Sequence, residues 1–144
     1  MDFNKVTAQD VRDFWHLVPE SSRLMRDNIS ESAWLALHNT CAGATFTVPK
    51  HSHRRGSRKW GQLAAVLGEE GTQQLAHHYG GEVIQVPVLR AIQVAQRTRW
   101  LRQRFQELTT RQGLTHGAAV LALCIELNAA GHPMTARQIS ATLC

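Results

Sequence analysis

The densest chemistry in the sequence is cationic. "KHSHRRGSRK", residues 50–59, carries five Lys/Arg and no aliphatic side chain. Lys50, Arg54, Arg55, Arg58 and Lys59 make this loop a flexible arm ending at Trp60. Such an arm can lie along a phosphate backbone and order on contact. A second cationic series is periodic: Arg90, Arg97, Arg104 and Arg111 each follow the last by seven residues. Beside them Ala91, Val94, Thr98, Leu101, Phe105 and Leu108 alternate spacings of three and four. That is the seam of a helix packed on a neighbour. Arg99 and Arg102 add density, and between 88 and 112 only Glu107 opposes six arginines. Their stems can cover the seam's edge with the heads in water, or the row can track phosphates and release counterions.

Net charge is +5 and unevenly spread. Residues 1–49 hold four Lys/Arg against six Asp/Glu, and 50–144 hold twelve against five. A basic back end points to an anionic partner, most commonly nucleic acid.

Other reactive side chains carry less. His51 and His53 sit among cations that repel a metal, and His77–His78 is no stronger a candidate. Cys41 follows His38 by three residues, but a buried cysteine near a surface histidine is the expected reading. There is no glycine-rich phosphate loop, no paired-carboxylate arrangement and no metal-ligand spacing. Neither an enzyme nor a cofactor or metal is expected. Cys41, Cys124 and Cys144 are an odd number without zinc-like spacing, as reduced thiols would be. The longest apolar run, Ala118–Ile125, is too short to span a membrane, and "MDFNKVTAQDV" lacks signal-peptide order. The expectation is a soluble, cytoplasmic protein without a membrane partner.

"ELTTRQGLTHGAAVLAL", Glu107–Leu123, has the outline of a helix-turn-helix, with Gly113 at the turn and Thr115 and His116 opening the second helix. Past His116 that helix is almost wholly apolar until Glu126, which reads as core. Ala119, Leu121, Ala122 and Ile125 are accordingly expected to be buried. "VLALCIELNAAGHPMTARQISATL" resembles the first two helices of a winged helix.

The elements that must position these groups are mostly helical. Thr7, Ser30, Thr115 and Thr135 suit helix N-caps, and the periodicity predicts helices over 7–18, from 31, over 88–112 and from 116. "WGQLAAVLG" and "EEGTQQLAHHY" read as two more. Helix stops are expected at Gly43 and Gly131, and Pro87 suits the first position of the long helix. Two short strands interrupt the pattern. "LHNTCAGATFTVP" (37–49) and "LAHHYGGEVIQVP" (75–87) each run helix, glycine, strand, proline. Aligning the prolines matches Leu37 with Leu75, Gly43 with Gly81, Phe46 with Ile84 and Val48 with Val86. In "ATFTV", Ala44, Phe46 and Val48 share one face, Thr45 and Thr47 the other. A lone strand must pair with something: each other, or the same strand in a second chain.

"LAHHYGGEVIQVP" resembles the dimerisation segment of the Mor/C family of phage transcription activators. The matching positions are Leu75, Gly80, Gly81, Ile84, Val86 and Pro87, and "LTTRQGLT" (108–115) is similar to the family's later turn motif. The resemblance implies a dimer whose strands, with Val83, pair between subunits, and a helix-turn-helix that binds double-stranded DNA.

The expected architecture is therefore a mostly α helical bundle with one or two short β-strands, a helix-turn-helix-like C-terminal part and an intertwined dimer. Residues 1–49 hold the N-terminal helices and first strand, 50–87 the basic loop, helices and dimerisation strand, and 88–144 the arginine-rich helix and C-terminal region. The expected function is a DNA-binding transcriptional regulator of phage or mobile-element type, an activator by the resemblance. The alternative is a protein–protein module, an anti-activator or a binder of bacterial RNA polymerase or another regulator.

Overall fold

The computed structural model describes residues 2–144. Among them are seven α-helices and one two-stranded antiparallel sheet. In chain order these are α1 (Ala8–Asp13), α2 (Glu20–Arg26), α3 (Glu31–Thr40), β1 (Thr45–Thr47), α4 (Arg58–Tyr79), β2 (Val83–Gln85), α5 (Arg90–Gln106), α6 (His116–Ala129) and α7 (Ala136–Leu143). A π-helical turn, Glu107–Arg111, extends α5. No helix of the described residues is long and apolar enough to cross a membrane. The chain divides into two compact units, one of residues 6–92 and one of residues up to Lys5 together with Gln93–Cys144.

The helix starts follow local chemistry. Thr7, Ser30, Thr115 and Thr135 each accept a backbone N–H through the side chain, and Asp10 and Gln138 complete capping boxes. The expected helix over 7–18 stops sooner, with Phe14 leaving helical geometry and a 3-10 turn following. Helix α5 begins at Arg90, because Leu89 is drawn into the core of the 6–92 unit ahead of it. Its far end widens where the Thr109 and Thr110 hydroxyls donate to the carbonyls of Phe105 and Gln106. Helix α4 is bent at Gly68, whose φ of +79° only glycine adopts readily, so the two predicted helices are its two arms.

The 6–92 unit contains one arrangement twice. Helix α2, α3 and β1 begin at Glu20, Glu31 and Thr45; the two arms of α4 and β2 begin at Arg58, Glu69 and Val83, each 38 positions later. The two copies meet reciprocally. Phe46 pairs with Ile84 across the sheet, and these are matched residues. Gly43 N–H donates to the Val86 carbonyl at 2.7 Å, and its counterpart Gly81 N–H donates to the Val48 carbonyl at 2.8 Å. Val48 N–H to Glu82 and Val86 N–H to Ala44 form the next reciprocal pair, both at 2.9 Å. Where α3 crosses α4, a Cβ on Gly71 would lie 2.9 Å from the Cβ of Ala33, again its own counterpart. Reciprocal contact between matched residues is the mark of a two-fold interface. Here it lies inside one chain. The core follows the same symmetry: Leu37 and Leu75, Val48 and Val86, and Met25 and Leu63 are all buried.

The strand of residues 82–86 therefore pairs with β1 of its own chain, the outcome the resemblance did not imply. The expected repeat over 37–49 and 75–87 is also larger than its strands, reaching back over the helices.

The other unit is built on Leu101, Leu108, Ala119, Val120, Leu123, Leu127 and Ile139. The seam on α5 holds in its second half, where Leu101 and Leu108 are buried and Phe105 packs against them. Its first half does not: Ala91 and Val94 are exposed while Ile92 is buried, because the first turn of α5 joins the 6–92 core. Helix α6 corrects a second expectation. Ala119 is buried and Ala122 half-buried, but Leu121 and Ile125 are 61% and 63% exposed. The covered stripe runs through Ala119, Val120, Leu123 and Leu127, and one stripe is all that a neighbouring helix layer can cover.

Candidate nucleic-acid interface

The exposed face of the ribbon consists of Thr45 and Thr47 from β1 and Val83 and Gln85 from β2. Alternation turns Phe46 and Ile84 to the core and leaves these four outward. The basic arm begins beside this ribbon. Lys50 lies across Gly81, where a Cβ would be 2.8 Å from the lysine Cε. Lys59 Nζ donates to the Thr47 carbonyl at 3.4 Å. Between them Lys50, Arg54, Arg55, Arg58 and Lys59 are all exposed, and none forms an ion pair among the described residues. The arm's base is fixed. Ser57 caps α4, Trp60 is buried, and its indole N–H donates to the Glu69 carboxylate across the Gly68 bend at 3.1 Å. The His51 ring meets Trp60 edge-on at 5.6 Å and contacts Arg54 at 3.2 Å.

The arginine row of α5 is not uniform. Arg90 and Arg111 are exposed, while Arg97 and Arg99 are half-buried. Arg102 donates weakly to the Thr142 carbonyl at 3.5 Å. Arg104 reaches Glu126 through Nε at 3.1 Å and through its terminal nitrogen at 2.7 Å, and also Glu107 at 3.0 Å. Those bonds, Glu126 first, raise its pKa further above the ordinary guanidinium value. Bidentate geometry of this kind fastens α5 to α6, so Arg104 is engaged within the fold rather than offered to a phosphate.

At the helix-turn-helix-like segment, Gly113 takes a φ of +65° and Leu114 tucks against the core with its N–H on the Leu108 carbonyl. Thr115 caps α6, and His116 is exposed with its ring 5.3 Å from that of Phe105. The outer face of α6 beyond it, Gly117, Ala118, Leu121 and Ile125, offers no side-chain hydrogen bond until the exposed Asn128.

The residues expected at a dimer surface are divided between core and surface. Leu75, Ile84 and Val86 lie in the core of their own unit. A Cβ on Gly80 would lie 2.5 Å from the Ala76 carbonyl oxygen, and Gly81 has a φ of +84°. Pro87 is half-buried, while Gly81 and Val83, the latter 67% exposed, face outward. In the sequence, Thr45 and Thr47 stand on the polar face of a strand with no role assigned, and Gln85 carries none either. The alternation signalled the first two.

His38 corrects its expectation: it is buried, not a surface residue. Its Nδ1–H donates to the Trp34 carbonyl at 2.8 Å, and Nε2 accepts from the Ser22 hydroxyl at 2.9 Å. Burial holds its pKa below the ordinary imidazole value, and burial pushes the Cys41 thiol up. No group of His, Cys, Asp and Glu among the described residues could hold a metal ion.

Comparison of the sequence with protein-family models and curated proteins, and of the fold with solved structures, finds no match.

Proposed function

We propose that the chain is a DNA-binding transcriptional regulator whose main contact is the ribbon and basic arm of the 6–92 unit. The observation that carries this is five exposed cations, without ion pairs among the described residues, on an arm whose Lys50 and Lys59 reach a ribbon with Thr45, Thr47 and Gln85 facing outward beside Val83. Cations neutralise phosphates and supply affinity, while a two-stranded ribbon is narrow enough to enter a major groove and present Thr and Gln to base edges. Local likeness to the Mor/C activators supports the same reading and the phage or mobile-element setting. In that family the strands pair between two subunits; here one chain supplies both, so the ribbon needs no second copy. A homodimer would have to use another surface.

The test is an anisotropy titration with duplex DNA at several salt concentrations. Replacing Arg54, Arg55, Arg58 and Lys59 with Gln should weaken binding strongly and lower the log–log salt slope by about 3 to 4, close to 0.9 per contact. An unchanged slope would remove the arm from the interface.

A second reading rests on α6. An exposed stripe without hydrogen-bonding groups, Ala118, Leu121 and Ile125, suits a protein surface better than base edges. It favours the unit of residues 93–144 as the part that meets polymerase or another regulator, with or without an activator's sign.

A further inference from the structure

We propose that the cavity bounded by α1, α2 and α3 binds a free α-amino acid with a large apolar or aromatic side chain. The cavity has a volume of about 540 Å³, inside the range of about 300–1,000 Å³ in which small-molecule sites fall. It lies wholly within the 6–92 unit and shares no residue with the ribbon or the arm. Its lining separates into two chemistries. Ala8, Val11, Trp15 and Leu35 provide apolar surface, backed by the fully buried Trp34, whose ring lies 6.1 Å from that of Trp15. Arg12, Arg26, Asp27 and Glu31 provide charge.

The charged set is what selects the ligand. Arg12 and Arg26 share one carboxylate, Glu31, at 3.3 and 3.8 Å, with all three side chains substantially exposed. Such pairs are weak and open readily to a competing anion. Asp27 is exposed and forms no ion pair among the described residues. It caps the C-terminal end of α2, where a negative charge is unfavourable and a cation is attracted. Two guanidiniums and two carboxylates balance. A simple anion would leave Asp27 uncompensated, and a simple amine would leave the shared arginine pair short of a carboxylate. A zwitterion answers both: its carboxylate replaces part of Glu31's role on Arg12 and Arg26, its ammonium meets Asp27, and its side chain lies on Trp15, Val11 and Leu35.

The experiment uses the full chain and L-phenylalanine, with 3-phenylpropionate (no ammonium) and phenethylamine (no carboxylate) as single-charge probes. Tryptophan fluorescence and saturation-transfer NMR read binding. L-phenylalanine should bind saturably, and each single-charge probe about tenfold more weakly, since each loses one charge-assisted contact. Arg12→Gln and Asp27→Asn should each weaken L-phenylalanine about tenfold, with circular dichroism unchanged because both side chains are exposed. Arg23→Gln, on α2 outside the cavity, should leave binding as it is. Absence of saturation by about 10 mM, weaker than any useful small-ligand site, would overturn the proposal. So would 3-phenylpropionate binding as tightly as L-phenylalanine, which would make this an anion site and needs no variant to detect.

Discussion

In the first copy of the repeat, residues 20–48, α3 closes over Trp34, whose indole N–H donates to the Ser22 carbonyl at 2.8 Å and whose ring stacks on His38 at 4.0 Å. In the second, residues 58–86, Thr72 stands at the matched position and its hydroxyl donates to the Gly68 carbonyl at 2.8 Å. The second copy keeps its tryptophan at Trp60, matched to Ser22, and Ala76 replaces His38. At each of these positions a large side chain in one copy stands where the other has a small one. What both copies share is the frame: Leu37 and Leu75, Gly43 and Gly81, Val48 and Val86. The sharpest charge difference lies where the chain enters each copy: residues 12–21 hold one Lys/Arg against two Asp/Glu, and their counterparts 50–59 hold five against none. Arg58 and Lys59 stand opposite Glu20 and Ser21, and Arg54 and Arg55 opposite His16 and Leu17. A nearly symmetric scaffold thus carries a cationic arm on one side only.

The frame is tested most severely at its leucines. Leu37→Ala and Leu75→Ala should each cost about 2–5 kcal/mol, as deep core truncations do. Because both sites are fully buried at matched positions, urea unfolding should give similar losses for the two. A site that tolerates alanine would break the equivalence of the copies.

The crossing of α3 and α4 permits a sharper experiment. Gly71→Ala alone drives a methyl to 2.9 Å from Ala33 and should destabilise by about 1–3 kcal/mol, as overpacking does. Adding Ala33→Gly returns one methyl to the contact from the opposite side. The double variant should recover part of the loss in thermal unfolding, the crowding against the Leu67 Cβ at 3.1 Å remaining. No recovery would mean that the two helices do not meet reciprocally there.

These contacts mark the limit of what could be read from residues alone. The caps at Thr7, Ser30, Thr115 and Thr135 were legible because a cap depends on its own next three residues. The strand ends of the repeat were legible because glycine and proline leave few alternatives. Its helices were less so: beyond Leu37 and Leu75, Glu31 and Glu69, and the apolar pair Met25 and Leu63, most matched helical residues differ in type. Between His116 and Glu126 helix α6 is apolar all round, so periodicity does not tell which of its faces is covered, and the expectation that Leu121 and Ile125 are buried fails. Nor could periodicity show that Arg104 finds Glu126, or that His38 finds Ser22, since those partners come from distant segments. Of the candidate site, the cationic arm was visible as composition, while the ribbon face beside it required the pairing of β1 with β2.

His38 gives the copies different responses to acid. Burial lowers its folded-state pKa below the ordinary 6.5, so the unfolded chain takes the proton more readily. Stability is then complete above that ordinary value and falls as pH drops beneath it. Thermal unfolding between neutral pH and mildly acidic pH should show this loss. His38→Gln should lower the midpoint somewhat at neutral pH yet flatten its dependence on acid. A slope unchanged by the substitution would place the acid sensitivity elsewhere, since Ala76 leaves the second copy without a matching imidazole.

The smallest expected effect is also the most direct test of the arm's one-sidedness. Lys59 and its counterpart Ser21 both sit exposed on the first turn of a helix, and Lys59 reaches the Thr47 carbonyl at the ribbon's edge. Lys59→Ser makes that side resemble the other and should lower the log–log salt slope of DNA binding by about one contact, close to 0.9. Folding stability should barely change, because a single exposed lysine contributes little. Ser21→Lys places a cation on the opposite flank of the same ribbon. If the duplex lies across the ribbon and touches both flanks, this substitution should raise the slope by a similar amount and the double exchange should cancel. If Lys59→Ser lowers the slope and Ser21→Lys leaves it alone, the duplex approaches from the arm's side only, and the ribbon's two-fold frame positions the arm without itself spanning the DNA.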